Sequence, residues 1–380
     1  MKSRPAKVVF ALVLVSTVLV GPSFAAGNGK PICDAVSGDY IVTLTKGASV
    51  ANEIKNVNGK DVAPKFVYDQ AINGYAAFLT AEQVCVLQKR PTVSLIEQDG
   101  IVTTDATTRS FSSSDPGLWG LDRIDQPNLP LLYSYTYSSA GSGVDAYVVD
   151  SGILASHEQI AGRVSLGFSA VGSSTDTTDC NGHGTHVSGT IGGKDFGVAP
   201  SAQLIPVRVF GCSGSGTTSG VIAGLNWIIN NHGTNKAVAN MSLGGGASNS
   251  LDNAVNNVIA DGVVVVVAAG NSSKNACLYS PARVPNAVTV AASTISDGFA
   301  SYSNNGKCVD LIAPGSNVKS SYIGSNSSTA VLSGTSMATP HVTGSVARIL
   351  SSSTNFSVAQ LLTGSKFING YKLLFISPNL

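Results

Sequence analysis

"VDAYVVD", Val144–Asp150, carries apolar residues on both of its alternating faces and ends on an aspartate. A strand of that kind is buried on both sides, so it belongs inside a sheet covered by two layers. Three later stretches have the same character: "LIPVRVF" (Leu204–Phe210), "AVANMSL" (Ala237–Leu243) and "GVVVVVAAG" (Gly262–Gly270). Helical stretches separate them, among them "GVIAGLNWIINN" (Gly220–Asn231) and "SLDNAVNNVIADG" (Ser250–Gly262). Alternating buried strands and helices predict an α/β fold around a parallel sheet. In such sheets ligands gather at the carboxyl ends of the strands. Asp150, Ser242 and Asn271 stand at those ends.

Two further stretches bring chemistry to that edge. "GHGTH" (Gly182–His186) opens a helix with His183, and "SGTSMATPH" (Ser333–His341) leads through Ser336 into another, "VTGSVARIL". A serine hydroxyl is a weak nucleophile without an adjacent base. Histidine takes and returns a proton near neutral pH, and a buried carboxylate fixes its tautomer and stabilises the imidazolium. Asp150, His183 and Ser336 are therefore expected to converge. His183 and His186 would share a helix face, but no glutamate stands where a zinc protease uses one as base. A lipase would carry a G-x-S-x-G elbow with its triad in the order Ser, Asp, His, and neither is present.

The amino-terminal part reads differently. Lys2, Arg4 and Lys7 precede an apolar run from Val8 to Val20 that closes on small residues, the pattern of a secretory signal peptide over residues 1–25. The run is too short to span a bilayer. Strand patterns at "DYIVTLT", "KFVYD", "GYAAFLT" and "TVSLIEQDGIV", with helices over "VANEIKNVNG" and "AEQVCVLQKR", give the order βαββαβ within residues 33–105. Thr80 and Gln83 form a capping box for the second helix, and Pro91 ends it. "TTDATTRSFSSSDP" (Thr103–Pro116) is polar and aperiodic, which suits a cleavable linker over residues 106–117.

With "DSGI", "GHGTHVSGT", "NMSLGG", "AAGN" and "GTSMATPH" in this order, the chain from Leu118 to about Leu350 resembles the subtilisin family of serine proteases, in its proteinase K and aqualysin branch. The βαββαβ segment is similar to that family's inhibitor-type propeptides. The resemblance implies a three-layer parallel-sheet protease domain over residues 118–380 behind a small α+β propeptide that inhibits its own enzyme. It implies a secreted, extracellular serine endopeptidase, a monomer made as a self-processed zymogen. An inactive relative would lack one of the catalytic words, and none is missing.

Residue by residue, the resemblance makes Asp150, His183 and Ser336 the triad and Asn271 the oxyanion-hole asparagine. His186 and His341 match positions without catalytic roles. Protein and peptide substrates would pair with Gly214 and its neighbours and with Ser242, Leu243 and Gly244. The first pocket would be walled by Ser242–Gly244 and by Ala268, Ala269 and Gly270, small uncharged residues that favour an apolar or aromatic side chain before the cut. Disulfides are implied between Cys180 and Cys212 and between Cys277 and Cys308, while the pairing of Cys33 and Cys85 stays open. A structural calcium ion (Ca2+) would take the carbonyls of Pro285 and Ala287 and the carboxylate of Asp310. No catalytic cofactor is implied.

Bulk composition agrees with this reading. Of 380 residues, 23 are basic and 22 acidic, so no charge excess invites nucleic acid or an anionic membrane.

Overall fold

A computed structural model describes residues 35–104, 107–108, 116–353 and 355–377. The leader 1–25, the Cys33–Cys85 pairing and most of the linker fall outside the described residues. The described chain opens with β1 (Gly38–Leu44), α1 (Val50–Glu53), β2 (Pro64–Tyr68), β3 (Gly74–Leu79), α2 (Ala81–Leu87) and β4 (Val93–Gln98). The strands form one antiparallel sheet in the order β2-β3-β1-β4. Thr80 and Gln83 make the capping box that starts α2.

Two elements differ from expectation. The helix expected over Val50–Gly59 stops at Glu53. Asn56 and Asn58 turn to φ 47° and 55°, and the Asp61 carboxylate accepts from Asn56 N at 3.0 Å, a local bond that competes with helix. The strand expected over Thr92–Val102 divides at Asp99–Gly100. Its second part, β5 (Ile101–Thr104), leaves the first sheet altogether.

The rest of the chain builds around a second sheet. After β6 (Thr107–Thr108) come α3 (Trp119–Ile124), β7 (Val144–Asp150), β8 (Phe168–Ser169), α4 (His183–Gly192), β9 (Gln203–Arg208), β10 (Ser215–Thr217) and α5 (Thr218–Asn231). Then follow β11 (Lys236–Met241), β12 (Leu243–Gly246), α6 (Asn249–Ala260), β13 (Val264–Ala268), β14 (Tyr279–Ser280), β15 (Val288–Ser293), β16 (Leu311–Pro314), β17 (Val318–Ser321), β18 (Thr329–Ser333) and α7 (Thr335–Ser352). A short hairpin of β19 (Phe367–Ile368) and β20 (Tyr371–Lys372) closes the described fold. Seven strands pair in parallel in the order β16-β15-β13-β11-β7-β9-β8.

Strand alternation sorts the core into two layers. Ala146, Val148, Val238 and Val266 pack with Val187 and Ile191 of α4 and Val342 and Val346 of α7. Tyr147, Val149, Ala239 and Val267 point the other way, onto Val221 and Leu225 of α5 and Val255 of α6. Successive side chains of a strand face opposite sides, so these strands read as unbroken apolar runs.

The second layer also receives the amino-terminal sheet. Ile41, Tyr68, Ile72 and Ala76 join the same core cluster as α5 and α6. Polar contacts fix the docking. Asn226 Oδ1 on α5 accepts from the backbone N of Asp69, Gln70 and Ala71 at 3.1, 2.8 and 3.1 Å. Tyr68 donates its hydroxyl to Ser219 O at 3.1 Å.

The two helices also meet carboxylates at their amino ends. Asp99 accepts from Ser219 N at 2.8 Å and from the Ser219 hydroxyl. Glu97 accepts from the Ser248 hydroxyl and from Ser250 N at 3.3 Å. Helix amino ends carry unsatisfied N–H groups and a positive dipole end, and carboxylates there complement both.

Asn226→Ala should strip one acceptor from three N–H groups at once and loosen this docking. Urea unfolding of a Ser336→Ala chain that stays in one piece should show a loss of about 1–2 kcal/mol. An unchanged midpoint would mean that water replaces Asn226 without cost.

Candidate active site

β7 ends at Asp150 and α4 begins at His183, at the carboxyl edge of the parallel sheet. The His183 imidazole Nδ1 lies 2.7 and 2.9 Å from the two Asp150 carboxylate oxygens. Asp150 is fully buried and His183 nearly so. Asp150 Oδ1 also accepts from Ser151 N at 2.7 Å. A Cβ on Gly184 would stand 2.2 Å from Gly152 O, so the glycine after His183 is what lets the helix come this close to the strand end.

Ser336 is the second residue of α7 and is buried. Its hydroxyl donates to Ser242 O at 3.2 Å, while the Ser242 hydroxyl donates to Ser336 O at 2.9 Å. Asn240 Nδ2 donates to Ser242 Oγ at 2.9 Å, and Thr343 Oγ1 donates to Asn240 Oδ1 at 2.8 Å. This buried chain of bonds fixes the end of β11 against α7. Asn271 accepts from Thr335 N through Oδ1 at 2.9 Å. Because that oxygen is taken by a backbone donor, the side-chain NH2 faces away from Thr335.

The residues expected to bind substrate lie along one groove. β5 fills it, pairing antiparallel with β10 on one side and with β12 on the other. Thr103 stands opposite both Ser215 and Gly244, and Thr104 opposite Leu243. Gly214, at φ 74°, turns the chain into β10. Val102 is buried, and a Cβ on Gly245 would meet its side chain at 3.0 Å. Ala268, Ala269 and Gly270 close the end of β13 beside Asn271. Beyond the groove, β6 pairs with β18 through Thr107 opposite Ser333 and Thr108 opposite Leu332. Strands of the chain itself thus lie on both sides of Ser336.

The other histidines take carbonyl or peripheral partners. His186 is buried with Nε2 3.1 Å from Val318 O and 3.2 Å from Ala330 O. His341 Nδ1 lies 2.8 Å from Met337 O, and His157 Nε2 lies 2.8 Å from Ser328 O. His232 pairs with Asp261 at 2.9 Å, at the far ends of α5 and α6. Burial lowers His186 to a pKa of about 3 and His341 to about 4.

Cys180 is bonded to Cys212, and Cys277 to Cys308. The first bridge ties the turn before α4 to the segment before β10. Asn181 Nδ2 adds a bond to Cys212 O at 3.1 Å. Cross-links closing loops of this size contribute about 3–4 kcal/mol in the chain-entropy description.

Asp310 lies where β16 begins, with Oδ2 accepting from Thr289 N at 2.7 Å and Asp310 N donating to Thr289 O. Thr289 is two residues after Ala287, so the carboxylate sits beside the Pro285–Ala287 turn. Burial raises the Asp310 pKa, partly offset by the bond from Thr289 N. That donor set fits a hard cation such as calcium. Among the described residues no group of three or more His, Cys, Asp or Glu side chains is placed to hold a metal.

Several contributors carried no mark in the sequence. Ser151, Glu97, Asp99 and Asn226 act through partners distant in the chain, Asp179 through its own turn and Ser151, and an isolated polar residue does not announce its partner.

Known proteins resemble this arrangement closely. The family model described as the subtilase family matches residues 141–366, and the one described as peptidase inhibitor I9 matches residues 39–105. The chain is 44% identical over 366 residues to an extracellular serine proteinase of Thermus sp. (strain Rt41A), spanning 89% of this chain and 88% of that protein. It is 48% identical over 295 residues to alkaline serine exoprotease A of Vibrio alginolyticus, spanning 78% of this chain and 55% of that longer protein. The crystal structure of a cold-adapted subtilisin-like serine proteinase matches with a TM-score of 0.65 and 48% identity, over 69% of this chain and 98% of that one.

His186 and His341 generate a prediction about acid. Unfolded, each titrates near the ordinary histidine value of about 6.5; folded, each resists protonation down to about 3 and about 4. The unfolded chain therefore binds more protons below pH ~6.5, and stability falls as pH drops from there toward the folded values. The loss should amount to a few kcal/mol for each ring. Calorimetry of a Ser336→Ala chain between pH 7 and 4 should show the fall, and His341→Gln should flatten it. Equal slopes in the two chains would refute the role of His341.

Proposed function

Because the chain belongs to the subtilase family of serine proteases, we propose that Ser336 attacks the peptide carbonyl with His183 as its general base. The Ser336 hydroxyl leaves the Ser242 carbonyl, passes its proton to His183 Nε2 and bonds to the substrate carbon. Asp150 holds Nδ1 of the ring and stabilises the imidazolium while it lasts. His183 then gives the proton to the leaving amine, and water repeats the cycle in reverse to release the acid. The developing oxyanion meets the Asn271 side-chain amide and the Ser336 N–H, two donors in place before the charge appears. What carries the reading is the buried His183–Asp150 pair at 2.7 Å beside a groove that the chain's own strand β5 occupies.

The groove suggests the substrate. An extended peptide adds a strand between β10 and β12, and main-chain pairing is indifferent to side chains. Selection is left to pockets, and the walls at Ser242–Gly244 and Ala268–Gly270 are small and uncharged. Specificity is accordingly broad, with preference for apolar or aromatic residues before the cut. A calcium ion held by the Pro285 and Ala287 carbonyls and Asp310 would brace the segment between β14 and β16 without entering the chemistry. Secretion is supported by the leader pattern over residues 1–25, by the two disulfides and by the extracellular relatives.

The same groove accounts for maturation. β5 ends opposite Leu243, next to the Ser242 carbonyl that Ser336 bonds, and β6 begins opposite Ser333. The bond cut in maturation is therefore one of the three joining Thr104 to Thr107. Tethering raises its effective concentration far above that of a free peptide, so it needs no favoured side chain. The segment before it then stays as an inhibitor, held by Asn226, Asp99 and Glu97.

The full chain should yield two pieces with a new amino terminus at Asp105, Ala106 or Thr107, and Ser336→Ala should remain whole. Terminal sequencing checks both, and an alanine variant cut at the same bond without added protease would sink self-processing.

Chromogenic peptides ending in Phe or Leu should be cut faster than those ending in Arg or Asp. A strong preference for Arg would place a charge in the pocket that these walls lack.

A further inference from the structure

We propose that Asp179 is a positioning residue for catalysis, acting by locking the end of β7 to the start of α4; this rests on the roles of Asp150 and His183 given above. Asp179 is almost wholly buried and receives five hydrogen bonds. Oδ1 accepts from Ser151 Oγ, Asn181 N and Gly182 N, each at 2.9 Å. Oδ2 accepts from Thr185 N at 2.9 Å and from Thr185 Oγ1 at 2.6 Å. No lysine or arginine pairs with it among the described residues. A buried carboxylate without a cation is stable only when donors fill its lone pairs, and here they do.

The donors are the residues that flank the catalytic pair. Ser151 follows Asp150, and Gly182 and Thr185 bracket His183. Gly184 N, between them, donates to the Ser151 hydroxyl at 2.9 Å, which Asp179 orients. Thr185 Oγ1 in turn accepts from Leu154 N at 3.0 Å, on the segment that follows β7. Asn181, whose N–H Asp179 holds, accepts from His183 N through its side chain at 3.2 Å. The backbone on both sides of His183 thus ends on this carboxylate or on a group that it orients.

Gly182, the residue before α4, sits at φ 102° and offers no side-chain cap. Asp179 supplies that function from three residues back, and its negative charge complements the helix amino end. Without it, the turn that carries His183 would lose five bonds, and the ring would be held less firmly. A displacement of about 1 Å at such a site costs on the order of a hundredfold in rate.

The test compares Asp179→Asn and Ser151→Ala, each made as the full chain and matured by tagged parent enzyme that is then withdrawn. Both variants should keep KM for a Phe-ended chromogenic peptide within about twofold, since β10 and β12 are untouched, and lose about tenfold to a hundredfold in kcat. His183→Ala is measured beside them and tests the base assignment independently. In the double variant Asp179→Asn/His183→Ala the rate should match that of His183→Ala, because a residue acting through His183 has nothing left to position. A full kcat in Asp179→Asn, a loss confined to KM, or an additive loss in the double variant would overturn the proposal. Should Asp179→Asn fail to fold, Ser151→Ala, which deletes one hydroxyl, decides by the same criteria. An active His183→Ala enzyme would instead overturn the triad on which the proposal rests.

Discussion

Asp150 ends a strand covered on both faces, and its carboxylate has no exposed surface. A charge in that place costs several kcal/mol unless it is bonded where it stands. The bonds come from Ser151 N and from His183, so the helix that carries His183 has to arrive within reach of the strand end. The approach depends on glycine, because any side chain at Gly184 would strike Gly152 O. The packing of α4 on the sheet and the assembly of the catalytic pair are therefore one event. Ser336 enters through the other helix of the same layer, α7, and is fixed by its exchange of hydrogen bonds with Ser242.

The groove beside this pair presents two strands, β10 and β12, whose outer edges would otherwise face water. Open edges invite further pairing, which is what a protease that reads main chain requires. In the intact chain β5 occupies that edge, while Asp99 and Glu97 meet the amino ends of α5 and α6. On the proposed function, inhibition would use the main-chain groups of β10 and β12 that substrate binding uses, with Asn226, Asp99 and Glu97 as added anchors. The apolar docking surface belongs to the core cluster of α5 and α6, so the amino-terminal sheet is held by burial and aimed by hydrogen bonds.

The parallel sheet was legible because its strands are buried on both faces: runs such as Val263–Val267 admit few other readings. The capping box at Thr80 and Gln83 was legible because both partners are local. Where the reading failed, the cause was a contact outside the window. The helix from Val50 ended early because Asp61 captures Asn56 N. The strand through Gly100 divided because its second half found better partners in β10 and β12 than in its own sheet. At the site, Asp150, His183, Asn271 and Ser336 were marked by local words, whereas Asp179 stood unassigned three residues before the word that holds His183. Its link to the strand end is made through Ser151, 28 residues away in sequence, while its other bonds stay within the turn before α4 and the start of that helix.

The histidines show why spacing alone could not choose a base. His183 and His186 differ by three residues and share a helix, yet one faces a carboxylate and the other two carbonyls. A carbonyl can orient a neutral ring, but it offers only a partial charge to an imidazolium in a buried setting, and burial then drives the ring to stay neutral. His186 and His341 are in that state. A carboxylate partner is necessary for a base that must hold a proton in transit, though it is not sufficient. His232 has one in Asp261, but the pair closes the carboxyl ends of α5 and α6. Helices that link parallel strands run antiparallel to them, which puts those ends at the amino edge of the sheet. Only His183 has both the carboxylate and a place at the edge where Ser336 and the groove meet.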